Sequence, residues 1–333
     1  GAYNSRFGQN IQTGLFSKVL MGVYDVQNTY LNVVGIYTNT TQVDAYRGAG
    51  RPEAIYLLER MMDRAARELE IDPLELRRIN FIKKSNFPYQ SSTGEIIDVG
   101  DFDRVLSAAE VSADIKGFER RKKESKIKGR LRGLGLCYYI ESILGDPSEE
   151  AKVVFDENGE VRIFVGTQSN GQGHETVYAQ FLSDQTGIPS EKITVVQGDS
   201  DLISNGGGTG GSRSVTVQNN ATLATIEKVI TSFSQYLSEK LKVDANDIEF
   251  DDISFRIRDS NFSPNVLEVA KMARDDQRFD LLTHSAKTTL DARSFPNGAH
   301  FAELEIDPET GFVQIVRYSV VDDFGNLINP MLA

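Results

Sequence analysis

Two glycine-rich stretches, Gly166 to His174 and Asn205 to Ser214, carry the residues best suited to chemistry in this sequence. Each follows a short apolar β-rich run and precedes a helical pattern, so each feeds a helix N-terminus. There the first-turn amides lack carbonyl partners and the helix dipole favours negative charge. The glycines admit a ligand close to the backbone, while Gln172, Thr209, Ser212 and Ser214 add neutral donors. This chemistry suits a phosphorylated or heavily hydrogen-bonding cofactor, although the same glycines would serve equally for turns alone. Neither stretch is a known nucleotide loop. Gly211 is followed by Ser212 where a Walker loop needs lysine, and the glycine spacing of a dinucleotide fingerprint is absent.

Arg47 and Gly48 open a third element, a cation among small residues just before a helix. Arg47 has the fork to pair an anion bidentately, and its alternative is a surface ion pair with Asp44 or Glu53. His174 either lines the first loop's ligand site or satisfies local backbone groups. Tyr139 and Glu141 either face a substrate channel or sit on an exposed strand edge. Cys137, between Leu136 and Tyr138, is expected to be buried and inert. The three histidines are scattered, and no metal-ligating cluster is expected from side chains.

The elements that must position these residues follow from pattern. Residues 30–37 are β-rich. A helix over 52–70 starts at Pro52 and turns an apolar stripe of Ala54, Leu57, Leu58, Met61, Ala65 and Leu69 inward. Asp72 and Pro73 start a shorter helix to Ile79. The charged run from Lys116 to Arg132 has too few apolar residues for a core and is expected to be a linker. Beyond it come a strand over 133–140 and a hairpin of 151–156 with 160–166 across Asn158-Gly159. A helix follows His174, ended by Gly187 and Pro189, and then a strand over 193–197. A long helix after Ser214 buries Leu223, Ile226, Ile230, Phe233, Leu237 and Leu241. A helix capped by Ser263-Pro264 and a hairpin of 299–306 with 312–321 complete the pattern. The fold class is α+β, two mixed lobes with a ligand cleft expected between them: a first over 1–115, the linker over 116–132, and a second over 133–333.

A chain of 333 residues, 40% hydrophobic and 25% charged, has enough apolar material for two cores. Its net charge of −12 argues against nucleic acid. One cysteine excludes an internal disulfide and any iron–sulfur cluster held by this chain's own thiolates, so redox electrons would leave through a partner. No apolar run has membrane-spanning length and no leader stands at the start, which gives a cytoplasmic expectation. The start at Gly1 without Met, and the stop at Ala333 just past an apolar strand, give the expectation of an excised piece.

Four strings carry a resemblance to the molybdenum hydroxylases, the family of xanthine dehydrogenase, aldehyde oxidase and the carbon monoxide dehydrogenase large subunit. They are residues 38–53, 171–175, 208–214 and 321–330, in the family's order, and they most resemble the carbon monoxide dehydrogenase branch. The resemblance implies a molybdopterin, possibly in its cytosine dinucleotide form, whose own sulfurs bind the metal. By position it places Arg47 and Gly48 near the active-site face, Asn170, Gly171 and Gln172 on the pterin side, and Gly211, Ser212 and Ser214 opposite. It further implies hydroxylation of an aldehyde or N-heterocycle with oxygen from water. An iron–sulfur small subunit and an FAD medium subunit would be partners, in a dimer of heterotrimers.

The sequence also departs from that pattern. Gly48-Ala49 stands where the carbon monoxide enzymes place a copper-binding cysteine, which argues against carbon monoxide, and Ala49 replaces the phenylalanine of the purine enzymes. The family's general-base glutamate is expected downstream of Pro330, so the chain alone is expected to be inactive. A different reading, a non-catalytic cofactor-binding or scaffolding subunit of a split complex, stays open on the sequence.

Overall fold

A computed structural model describes every residue except Arg6 and Leu144. Its principal elements in chain order are α1 (Arg51–Leu69), α2 (Pro73–Asn80), α3 (Phe102–Ala113), α4 (Phe118–Ile127), β1 (Leu131–Ile140), β2 (Ser148–Phe155), β3 (Val161–Val165), α5 (His174–Thr186), β4 (Ile193–Gln197), α6 (Ser214–Leu241), α7 (Val266–Asp275), β5 (Thr283–Thr289), β6 (Asn297–Ile306) and β7 (Val313–Asp323). The chain divides into two compact units: Gly1–Ile143 with Arg293–Gly325, and Leu144–Ala292 with Asn326–Ala333. The hairpin of β6 and β7 therefore returns to the first unit, because β6 pairs antiparallel with β1 along its whole length. Strand β1, at 131–140, thus belongs to the first unit, not to a lobe running on to 333 as expected.

In the first unit the sheet order is β7-β6-β1, all antiparallel, with α3 and α4 packed on it. The core gathers Phe81, Phe102, Leu106, Tyr138, Ala299 and Phe301. Helix α1 presents Ala54, Leu58 and Met62, four residues apart, to that core, and Ala66, one turn further on, is buried as well. The expected stripe is corrected here, since Leu57, Met61 and Leu69 are 47%, 53% and 60% exposed. One reason is Glu59, which occupies the buried face because its carboxylate is fully partnered. It accepts from Tyr24 Oη at 2.5 Å, Arg77 Nε at 3.0 Å and the Tyr138 amide at 2.9 Å.

The charged run is a second correction: it is not a linker but contains α4 and the start of β1. Its arginines find carboxylates far away in sequence. Arg121 and Arg132 both pair with buried Glu303, and Arg132 Nη1 reaches Glu305 at 3.1 Å. Residues 30–37 form no strand and are exposed, because a β-rich run needs a neighbour to bond and none among the described residues supplies one.

The second unit holds a sheet of order β4-β3-β2-β5, in which β3 and β4 are parallel and the other pairs antiparallel. Helix α5 makes the crossover between the two parallel strands. Asn158-Gly159 makes the β2–β3 turn, with Gly159 at φ +75°, as the sequence predicts. Val153, Ile163, Tyr178, Ile226, Phe233 and Phe255 form the core. Leu223 and Leu241 stay partly exposed, and Thr222 and Thr225 are buried instead. The two threonines can face inward because their hydroxyls bond back to the carbonyls of Gln218 and Ala221, one turn earlier. Asn265, not Ser263, caps α7, in a reciprocal pair with Glu268.

Candidate functional site

In the second unit the two glycine loops leave the carboxyl ends of neighbouring parallel strands, β3 and β4, and run into the N-termini of α5 and α6. This is the end of an α/β sheet at which ligands bind. The loops also hold each other. The Gln168 amide donates to Thr209 Oγ1 at 2.9 Å, and that hydroxyl donates to the Gln168 carbonyl at 2.6 Å. The Gly208 amide donates to the Gly166 carbonyl at 3.2 Å, and a Cβ on Gly166 would meet Gly206 Cα at 2.5 Å. Glycine at 166 and 206 is thus required by contact between two backbones. Both loops therefore lie at the same end of their sheet.

What the loops offer is backbone. Among the described residues the amides of Gln172, Gly173, Thr209, Gly210, Gly211 and Ser212 have no partner. Cβ positions at Gly171, Gly208 and Gly210 would meet nothing within 4 Å. Ser212 adopts φ +59°, unusual for a residue with a side chain, and stays exposed. Asn170 and Gln172 are exposed too, and Gln172 Oε1 accepts from the Asn170 amide at 2.5 Å. Ser214 is buried at the first turn of α6, its hydroxyl 3.3 Å from Thr209 Oγ1.

Beneath the loops lies a buried polar layer. The Thr167 hydroxyl meets Tyr178 Oη at 2.7 Å and donates to Gln218 Oε1 at 3.4 Å, and Gln218 Nε2 donates to the Glu150 carbonyl at 3.0 Å. His174, 2% exposed, packs its ring 5.1 Å from that of Tyr178 and leaves Nδ1 without a partner. Burial holds its pKa below the ordinary value, with Glu175 pulling the other way. Gln197, at the end of β4, accepts from the Ser169 amide at 2.9 Å and donates to Glu175 at 2.6 Å. Glu149 and Arg213 form a fully buried ion pair, Oε2 to Nη1, at 2.9 Å. The sequence reading names neither. The signal for Glu149 was present, since it shares the inward phase of β2 with Ala151, Val153 and Phe155.

In the first unit Arg47 lies on the surface with no hydrogen bond or ion pair among the described residues, so neither Asp44 nor Glu53 holds it. Gly48 turns the chain at φ +76°. Gly50, at φ +89°, approaches residues 11–16 so closely that a Cβ would meet Leu15 Cβ at 2.7 Å. The buried arginine of this element is Arg51. It donates to the Ser142 carbonyl at 3.0 Å and the Ala49 carbonyl at 3.3 Å. Its Nε lies 2.8 Å from Glu141 Oε1, an ion-pair contact too misaligned for a hydrogen bond. Glu141 is therefore partnered. Tyr139 donates to Asp322 at 2.9 Å, and burial followed by that bond raises its pKa. Burial pushes the Cys137 thiol up to about 12, and with it an inert role.

Paired glycine loops at the carboxyl end of a parallel strand pair, with open backbone amides, have the chemistry that suits a hydrogen-bonding or anionic ligand. Comparison with known proteins narrows that class. Residues 108–333 and residues 1–81 each match a molybdopterin cofactor-binding domain family. The carbon monoxide dehydrogenase large chain of Hydrogenophaga pseudoflava is 32% identical over 341 residues, which cover 96% of this chain and 42% of that one. The nicotine 6-hydroxylase large subunit of Paenarthrobacter nicotinovorans is 31% identical, covering 93% and 40%. Quinoline 2-oxidoreductase from Pseudomonas putida superposes with a TM-score of 0.86 at 26% identity over 97% of this chain and 44% of that one. The chain belongs to the molybdopterin cofactor-binding domain family, and it spans less than half the length of these relatives.

Proposed function

We propose that this chain supplies part of the molybdopterin site of a molybdenum hydroxylase, a catalytic subunit that hydroxylates an aldehyde or N-heterocycle with oxygen from water. The observation that carries the reading is the junction of the two glycine loops through Gln168 and Thr209, with open amides from both loops beside it. Those donors suit a phosphate and the polar edge of a pterin, and the empty space at Gly171, Gly208 and Gly210 admits them. Among the described residues no group of three His, Cys, Asp or Glu side chains would hold a metal, so the metal would arrive on the cofactor.

Bound there, the cofactor supplies the two-electron redox chemistry. The chain's own residues bind and orient it: Asn170, Gly171 and Gln172 from one loop and Gly211, Ser212 and Ser214 from the other, with Arg47 and Gly48 added on the resemblance alone. With no thiolate set for iron–sulfur clusters in the chain, electrons would pass to an iron–sulfur small subunit and an FAD medium subunit. That assembly belongs to the cytoplasm in this proposal. No helix among the described residues is long and apolar enough to cross a membrane.

Metal analysis and pterin fluorescence after oxidative release, on the full-length native protein, test the reading. Stoichiometric molybdenum and pterin are expected. A natively purified, folded protein that lacks pterin after growth with ample molybdate would overturn it.

A further inference from the structure

Arg213 ends the second glycine loop, yet its side chain turns back beneath the loop and away from solvent, at 1% exposure. Nε donates to the Asp146 carbonyl at 2.6 Å and Nη2 to the Ser148 carbonyl at 2.5 Å, both at the start of β2. Nη1 donates to the Gly208 carbonyl at 2.6 Å and to Glu149 Oε2 at 2.9 Å. Glu149 closes the circuit, because the same Oε2 accepts from the Gly207 amide at 3.0 Å and Oε1 accepts from the Glu150 amide at 3.0 Å. The guanidinium fits so closely under the loop that a Cβ on Gly207 would lie 2.7 Å from Arg213 Cζ. A further bond, from the Gly145 amide to the Gly211 carbonyl at 3.3 Å, fastens the other end of the loop to the same strand entry.

Burying two charges in this way rarely stabilises a fold more than apolar packing of equal volume would. What the planar fork supplies is direction, since it binds at once the Gly208 carbonyl, the Asp146 and Ser148 carbonyls, and the Glu149 carboxylate that in turn holds the Gly207 amide. We propose that Arg213 and Glu149 are positioning residues: they hold the backbone of 207–212 so that the free amides of Thr209 to Ser212 face a ligand, and neither touches it. Ligand affinity then depends on a pair that the ligand never meets. This deepens the preceding reading and rests on it.

The test uses the full-length protein and three variants. Arg213→Lys keeps the charge but cannot make the four bonds together. Gly207→Ala displaces the guanidinium without touching Arg213 itself. Gly210→Ala adds a methyl that meets no protein atom, only the space where a ligand would lie. Two quantities are read: hydrogen exchange of the cofactor-free protein in peptides covering 205–214, and pterin and molybdenum bound per chain. Arg213→Lys and Gly207→Ala should raise exchange at Gly207 and Gly208 by tenfold or more and lower bound pterin. Gly210→Ala should leave exchange unchanged and lower pterin alone. Should Arg213→Lys fail to fold, Gly207→Ala carries the test. Wild-type exchange and wild-type pterin in the folded Gly207→Ala protein would overturn the proposal. Raised exchange in that variant, together with full pterin in all three, would instead retain the strut and remove the cofactor from this loop.

Discussion

Burial lowers the pKa of His174, whose Nδ1 has no hydrogen-bond partner among the described residues, and the neighbouring Glu175 offsets that shift only in part. The unfolded chain takes up a proton near the ordinary value of about 6.5, while the folded chain refuses it until lower pH. Stability is therefore full above about pH 6.5 and falls as the pH drops below it, until the folded group also protonates. His284 is shifted the same way by burial, against its bond to the Leu281 carbonyl, and adds to the slope. His174→Phe should keep the packing on Tyr178 and reduce the slope of unfolding free energy against pH by up to about one proton between pH 5 and 6.5. Denaturant titrations across that range check it, and an unchanged slope would mean that His174 titrates normally. Arg47 presents the opposite case, an exposed cation with no partner among the described residues. Arg47→Ala should change stability by no more than about 0.5 kcal/mol. In the full-length protein it should nevertheless lower bound pterin or turnover, and normal values of both would remove Arg47 from the site.

Element by element, legibility followed the distance over which each element finds its partners. Strands β2, β3 and β4 and the helices after the glycine loops came from local alternation and glycine punctuation, which neighbouring residues decide. So did Asp72, whose carboxylate accepts from the Leu74 and Glu75 amides as its position predicts. Helix α4 was not legible, because its buried-facing Arg121 makes sense only beside Glu303, 182 residues away. The face of α1 was misjudged for a related reason: a glutamate on an amphipathic helix reads as solvent-facing until its partners are known. Of the site, the two loops at helix N-termini were legible from glycine spacing, whereas the Glu149–Arg213 strut beneath them was not. Glu59 tests how firmly such partners are required. Glu59→Ala would leave Arg77, fully buried, with only the partly exposed Asp63 as a counter-charge. It should cost about 3–5 kcal/mol. Glu59→Gln should cost clearly less, because its amide oxygen in the place of Oε2 still accepts from the Tyr138 amide and Arg77 Nε, while its amide nitrogen in the place of Oε1 can donate to Tyr24 Oη. Equal losses in the two variants, measured by denaturant unfolding, would show that the charge and not the bonding matters.

At the scale of the whole molecule two tendencies oppose each other. The net charge of −12 keeps copies apart, but it acts at long range and is screened within about 8 Å at physiological salt. Against it stands the first unit's outer strand, β7, at the edge of its sheet, with Val313, Ile315 and Tyr318 each more than half exposed. An eleven-residue edge with unpaired backbone groups and apolar side chains is a template for another strand. Tyr30, Val34, Ile36 and Tyr37 add a second exposed apolar run, without a strand partner among the described residues. Short-range attraction under long-range repulsion has a recognisable signature: association that grows with both concentration and salt. The 333-residue chain should therefore sediment as larger species when sodium chloride is raised from about 0.05 to 0.5 M, where the screening length shrinks several-fold. Ile315→Lys places a charge on the edge at a site already 63% exposed, so it should suppress that association and shift stability by no more than about 0.5 kcal/mol. Sedimentation velocity of both proteins across the salt series, with thermal unfolding alongside, decides the matter. A wild-type chain that stays monomeric at high salt would show the edge to be protected, and a variant that associates like wild type would place the contact elsewhere.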